Sequence, residues 1–200
     1  MNRIAIFFHN KTFLCLLFII AFFTSLSYTI SSWKYNTFRL NWPIDLAFDN
    51  HVFWNFINGN KFITLTSAGL NGPYIFRQDH FSVIRFIFIS FYKLLPSVNT
   101  FLFLQSFIIS LGAIPVYLIT KQKTESKKFA LLCALFYILM PGVLNLSHND
   151  FKLFQICVPF LLFAFYFYDQ RRLPAFLISA FFALSIREEL IVPIALLSGR

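Results

Sequence analysis

The sequence predicts an all-α fold, a polytopic transmembrane helical bundle, and three observations carry that prediction. Of its 200 residues, 58% are hydrophobic and only 12% are charged, about half the charged share of a soluble domain. Thirty residues are Phe, and the mean hydropathy is +0.69. The apolar residues fall in long runs separated by short polar breaks, so residues 1–200 read as a single membrane domain. The spans are expected at about 12–30, 100–119, 129–147, 153–168 and 173–186.

The formal charge is +9, with a pI near 9.7. Nucleic-acid binding would need these cations gathered on one exposed face. They stand instead between apolar runs, where the positive-inside rule accounts for them, and nucleic acid is excluded as a partner. Cys15, Cys133 and Cys157 each sit in an apolar run with no metal-ligand spacing. They read as small hydrophobes.

Taken in order, Met1–Lys11 carries Arg3 and Lys11 and no acid, and Thr12–Ile30 is long enough to span. A signal peptide has a shorter apolar core and a small-residue cleavage site. The stretch TSLSYTISSW offers none, so the first helix is expected to be retained, with its N-terminus cytoplasmic in the cell membrane. Residues 31–99 then form a long first external loop carrying interfacial helices. Within it, Ile44–Ile57 has helical apolar spacing and stops at Asn58-Gly59-Asn60. Gly69-Leu70-Asn71-Gly72-Pro73 is a turn cluster, and Phe81–Leu95, interrupted by Arg85 and Lys93, suits a helix lying along the interface.

Thr100–Ile119 is the second span. The loop after it holds Lys121, Lys123, Lys127 and Lys128, the strongest orientation signal in the chain, and is placed inside. Phe129–Ser147 returns outward to His148-Asn149-Asp150-Phe151-Lys152. Leu153–Tyr168 goes back inside to Asp169 and Arg171-Arg172, and Leu173–Ile186 rises to Arg187-Glu188-Glu189. Leu190–Leu197 is too short to span, so the sequence reads as the front part of a longer protein.

This topology sorts the ionisable groups. Only Glu125 and Asp169 join the cations inside, while Asp45, Asp49, Asp79, Asp150, Glu188 and Glu189 fall outside with His51, His80 and His148. Ionisable groups at membrane depth are costly and mark function. Asp45 and Asp49 are spaced i, i+4 and share a helix face. Together they could hold a divalent cation, or one could act as a general base. For Asp45 a dipole role at the helix start after Pro43 stays open; Asp49 lies past the first turn. Asp150 has an alternative as a solvated turn residue. Arg187 and Glu188 fit either an internal ion pair or contact with an anionic headgroup. Trp33, Trp42, Trp54 and Tyr74 suit an interfacial belt.

The order of IDLAFDNHVFWNFINGN, DHFSVIRFIFISFYKLLP, FLFLQSFIISLGAIPVYLI, HNDF and REELIVPIALLSG resembles a domain-of-unknown-function family of polytopic bacterial membrane proteins. The resemblance runs from about Ile44 to the C-terminus. Asn50, Val83 and Asn149–Lys152 depart from the family pattern. An inside-to-outside helix followed by a long loop with an early acid also resembles GT-C glycosyltransferases, a likeness at fold level. It implies a GT-C-like N-terminal half that takes a sugar from a polyprenyl-phosphate donor and passes it to an acceptor at the outer face. By that resemblance Asp49 is the base, assisted by Asp45, and Asp150 helps with metal or donor. His80, Arg187 and Glu188 lie near the donor phosphate. The metal requirement stays open, with a divalent cation as candidate cofactor.

The rival classes are a transporter or lipid-handling protein and a structural membrane subunit. Transporters place ionisable groups within their spans. The expected spans 12–30, 100–119, 129–147 and 153–168 carry no charge, and the acids gather at one face. The sorting predicts that thiol reagents reach Asp49→Cys and Lys123→Cys from opposite sides of the membrane; labelling of both from one side would undo it.

Overall fold

The structure, a computed structural model, describes residues 11–41, 43–59, 63–65, 73–75 and 82–198. The expectations for His80, Asp79 and Trp42 lie outside the described residues, as does the side chain of Glu188.

Helix α1 (Lys11–Asn36) runs 26 residues, six beyond the end expected from hydropathy. Its buried residues Leu16, Ile20, Phe23, Thr24, Ser27 and Ser31 recur every three to four positions and form one stripe. Phe18 and Phe22 on the opposite face are 71% and 61% exposed, as suits contact with lipid. Helix α2 (Ile44–Ile57) follows Pro43 and ends where Asn58 and Gly59 (φ 82°) turn the chain. Strands β1 (Ile63–Leu65) and β2 (Pro73–Ile75) pair antiparallel, Thr64 opposite Tyr74. Apart from this short hairpin the described elements are helical, as expected for an all-α fold; three-residue strands are too short to show an alternating pattern. Helix α3 (Arg85–Leu94) buries Arg85, Phe88, Ile89 and Tyr92 and exposes Phe86, Ile87 and Phe91.

Helices α4 (Val98–Leu111) and α5 (Ala113–Thr124) meet at Gly112 and together form a 27-residue candidate span. Ser97 caps α4, its Oγ accepting the Asn99 N–H at 3.2 Å. Helices α6 (Lys127–Leu139) and α7 (Pro141–His148) are bent by 53°. Pro141 explains the break, because the residue before a proline is pushed out of helical geometry and Met140 sits at ψ 130°. A 3-10 turn (Leu153–Ile156) leads into α8 (Cys157–Asp169), which pairs with α9 (Leu173–Leu184). A second 3-10 turn (Glu188–Leu190) precedes α10 (Ile191–Ser198).

Among the described residues two helices, α1 and α4–α5, are long and apolar enough to cross a membrane, and the bent pair α6–α7 makes up to three. The spans expected at 153–168 and 173–186 are shorter apolar helices. At 1.5 Å per residue, the 12 residues of α9 reach about 18 Å, against a hydrocarbon core of about 30 Å.

Small polar side chains join α1 to its neighbours inside the bundle, as is common between helices in lipid. Thr24 Oγ1 and Ser110 Oγ are 2.8 Å apart, Ser31 Oγ donates to the Ser147 carbonyl at 2.9 Å, and His148 Nε2 lies 3.1 Å from Ser27 Oγ. His148 therefore closes helix α7 and is no part of the turn expected there. At one end of the bundle, Phe53, Tyr92, Phe101, Phe88 and Phe151 form an aromatic core, with Tyr92 stacked on Phe101 at 5.0 Å and Phe101 5.1 Å from Phe151. Tyr92 Oη donates to Asn50 Oδ1 at 2.8 Å, tying α3 to α2.

Gly112 is required by packing. A Cβ there would fall on the Tyr137 hydroxyl and 2.6 Å from its Cζ, while that hydroxyl donates to the Ile109 carbonyl at 3.0 Å. Gly112→Ala is expected to destabilise the protein by about 1–3 kcal/mol. Adding Tyr137→Leu should cost less than the sum of the two single changes in thermal unfolding.

Candidate functional site

Two carboxylates and three cations from four parts of the chain line one cleft of about 270 Å³: Asp45 and Asp49, with Arg85, Lys152 and Arg187. The i, i+4 spacing on α2 turns Asp45 and Asp49 to the same side, and both face the cleft.

Arg85 is the first residue of α3, and its Nη2 lies 3.1 Å from Asp49 Oδ1. Their side chains are only 8% and 5% exposed. A pair so buried is held by Coulomb attraction that must offset the cost of desolvating both ions. The start of α3 is fixed from behind: Ile84 N–H donates to the Ser185 carbonyl at 3.2 Å and Ser82 Oγ to the Ile186 carbonyl at 2.6 Å. These bonds also bring the segment after α9, and with it Arg187, to the cleft.

Lys152 is placed by Gln105, which is fully buried in α4. Gln105 Oε1 accepts the Lys152 N–H at 3.0 Å, and its Nε2 donates to the carbonyls of Leu146 at 2.9 Å, Asn149 at 3.3 Å and Asp150 at 3.4 Å. One amide thus closes the connection from α7 to the 3-10 turn. From there Lys152 Nζ reaches Asp45 Oδ2 at 3.4 Å, a half-exposed pair of the kind worth little by itself. Arg187 Nη1 lies 3.3 Å from Glu189 Oε2, and its guanidinium sits 5.5 Å from the Phe154 ring centroid.

Sequence reasoning singled out Asp45, Asp49 and Arg187, and the fold brings these three together. Asp150 is placed elsewhere: it is 2% exposed and is not among the cleft-lining side chains. Its Oδ1 accepts the Asn41 N–H at 3.1 Å, drawing the chain before α2 onto the α7 connection. The solvated-turn alternative is corrected by the same burial. Arg85 and Lys152 were missed as site residues. Arg85 carried a signal, a cation set among apolar residues in the first half of Phe81–Leu95; Lys152 carried none, since its place depends on Gln105.

Among the described residues no group of three or more His, Cys, Asp or Glu side chains gathers to hold a metal ion. Of the two cleft carboxylates, Asp49 is engaged by Arg85, and three cations line the same space. This donor set does not fit a resident divalent cation. Among the described lining residues cations exceed carboxylates, three to two, which suits an anionic group bearing several acceptor oxygens, such as a phosphate ester.

Residues 43–199 match the family described as "Predicted membrane protein (DUF2079)". The matched stretch contains every cleft-lining side chain, and the family description names no activity. No curated protein and no solved structure matches the chain.

Removing one partner of the buried pair deprives the other buried charge of its counter-ion. Asp49→Ala or Arg85→Ala is expected to cost about 3–5 kcal/mol. The double replacement Asp49→Leu/Arg85→Met should recover most of that loss in denaturant unfolding of the detergent-solubilised protein.

Proposed function

The chain belongs to the DUF2079 family of predicted membrane proteins, and on that premise we propose that it is a GT-C-like membrane glycosyltransferase. It takes a sugar from a polyprenyl-phosphate donor and transfers it to an acceptor at the membrane surface. The single observation behind this reading is the cleft, where Arg85, Lys152 and Arg187 surround the carboxylates of Asp45 and Asp49.

The chemistry needs two things that these side chains supply. An acceptor hydroxyl attacks the anomeric carbon while the bond from that carbon to the phosphate oxygen breaks. The acceptor's proton passes to a carboxylate, and the leaving phosphate carries away the bonding pair as added negative charge, which fixed cations stabilise. Asp45, half-exposed and only loosely held by Lys152, is the carboxylate an acceptor can reach. Asp49 orients Arg85 toward the donor phosphate, so the two acids first read as base and assistant exchange emphasis. Asp150 acts from behind, by holding the chain that leads into α2.

The test is transfer by the purified full-length protein from a panel of polyprenyl-phosphate sugars. Asp45→Asn is expected to lower kcat by roughly 100-fold or more, with the KM for donor little changed. Asp49→Asn should raise the donor KM as Arg85 loses its anchor. Wild-type kinetics in both variants would remove the cleft from the reaction. Saturable donor binding without turnover would favour a lipid-handling protein instead.

A further inference from the structure

The opposite end of the bundle carries a second pocket, about 650 Å³, between the end of α8 and the start of α9. It is lined by Phe167, Tyr168 and Phe176 on its apolar side and by Arg171 and Arg172 on its polar side, with Asp169 at the edge. The turn that carries the arginines is closed by its own backbone. Arg171 N–H donates to the Tyr168 carbonyl at 2.9 Å and Arg172 N–H to the Phe167 carbonyl at 3.0 Å, with Arg171 left-handed at φ 53°. Two side-chain links hold it to α5: Lys123 Nζ to Asp169 Oδ1 at 3.3 Å, and Gln170 to Gln122.

Cations outnumber acids in the segments at this end: Lys121, Lys123, Lys127, Lys128, Arg171 and Arg172 stand beside Glu125 and Asp169 in the sequence, and Asp169 is engaged by Lys123. Among the described residues no carboxylate pairs with Arg171 or Arg172. From the rim of the pocket, α9 presents Leu173, Leu177, Ile178 and Phe181, each 55–63% exposed. Paired guanidiniums, an aromatic wall and an apolar track leading away match an amphiphile with a phosphate head and hydrocarbon chains.

We propose that the pocket at the Asp169–Leu173 turn binds one anionic phospholipid, its phosphate between Arg171 and Arg172 and its acyl chains along the exposed face of α9. The site is independent of the transferase reading and uses none of the cleft residues. Cations at the end of α8 also complement the helix dipole, so the experiment separates that role from binding.

Purified full-length protein, delipidated in detergent, is titrated with phosphatidylglycerol, with phosphatidylcholine of the same chains, and with inorganic phosphate. Bound lipid is counted by native mass spectrometry, and thermal unfolding is followed in parallel. Phosphatidylglycerol is expected to bind roughly tenfold more tightly than phosphatidylcholine, and inorganic phosphate is expected not to shift unfolding. Arg171→Gly with Arg172→Gln should bring the two lipids to parity. Because glycine suits a left-handed position, this variant should unfold no earlier than wild type without lipid. Arg172→Gln alone changes an exposed side chain and should weaken the preference in the same direction. Arg187→Gln, in the cleft, should leave it intact. A preference that survives loss of both arginines, or a stabilisation that inorganic phosphate reproduces, overturns the proposal.

Discussion

The side-chain amide of Gln105 is the constraint on which the cleft end of the molecule depends. It is buried in the middle of an apolar helix, where an unsatisfied amide would cost several kcal/mol, and it answers that cost by binding four backbone groups of one connection. Helix α7 ends at His148 and residues 149–152 are not helical, so the carbonyls at and just after the helix end need a donor where water is scarce. Gln105 is that donor. With the connection fixed, Phe151 enters the aromatic core, Asp150 turns inward to hold Asn41, and Lys152 is left facing α2.

The cleft has a rigid side and a soft side as a result. Asp49 and Arg85 are buried and bound to each other, with α3 anchored through Ser82 and Ile84 to the chain after α9. Asp45, Lys152 and Arg187 stand at least a third exposed or nearly so, on pairs that water screens. A charged ligand would displace the soft pairs at small cost and leave the buried pair in place. In the proposed transferase, that division would give the chemistry to Asp45 and the positioning to Asp49.

The two ends of the bundle answer to different physics. Gln105 and Lys123 lie on the α4–α5 span, roughly 27 Å apart along the helix axis. Near the first, charge is mixed and partly buried among four chain segments; near the second, it is almost wholly basic and exposed. Mixed charge in a cleft can discriminate and turn over a ligand, whereas a basic, exposed surface bordered by apolar helix suits lasting attachment to lipid.

Much of the fold was legible in the residues themselves. Helix α2 and its stop at Asn58-Gly59 and the two long apolar helices follow from local composition, because partition into lipid and helix termination act over a few neighbouring residues; the bend at Met140-Pro141, by contrast, divides a stretch expected as one span at 129–147. The i, i+4 placing of Asp45 and Asp49 was equally plain. The limits of local reading appear where segments are short: the hairpin at 63–65 and 73–75 left no pattern, and α9 is apolar throughout yet too short to cross by itself. What the sequence by itself determined is which stretches leave water and where they must end. That Arg85 meets Asp49, that Lys152 meets Asp45, and that Asp150 is buried rather than solvated were decided only by tertiary structure. The reason is that these positions are set by hydrogen bonds from Gln105 and Ser82 to residues remote in the chain, which no local pattern encodes.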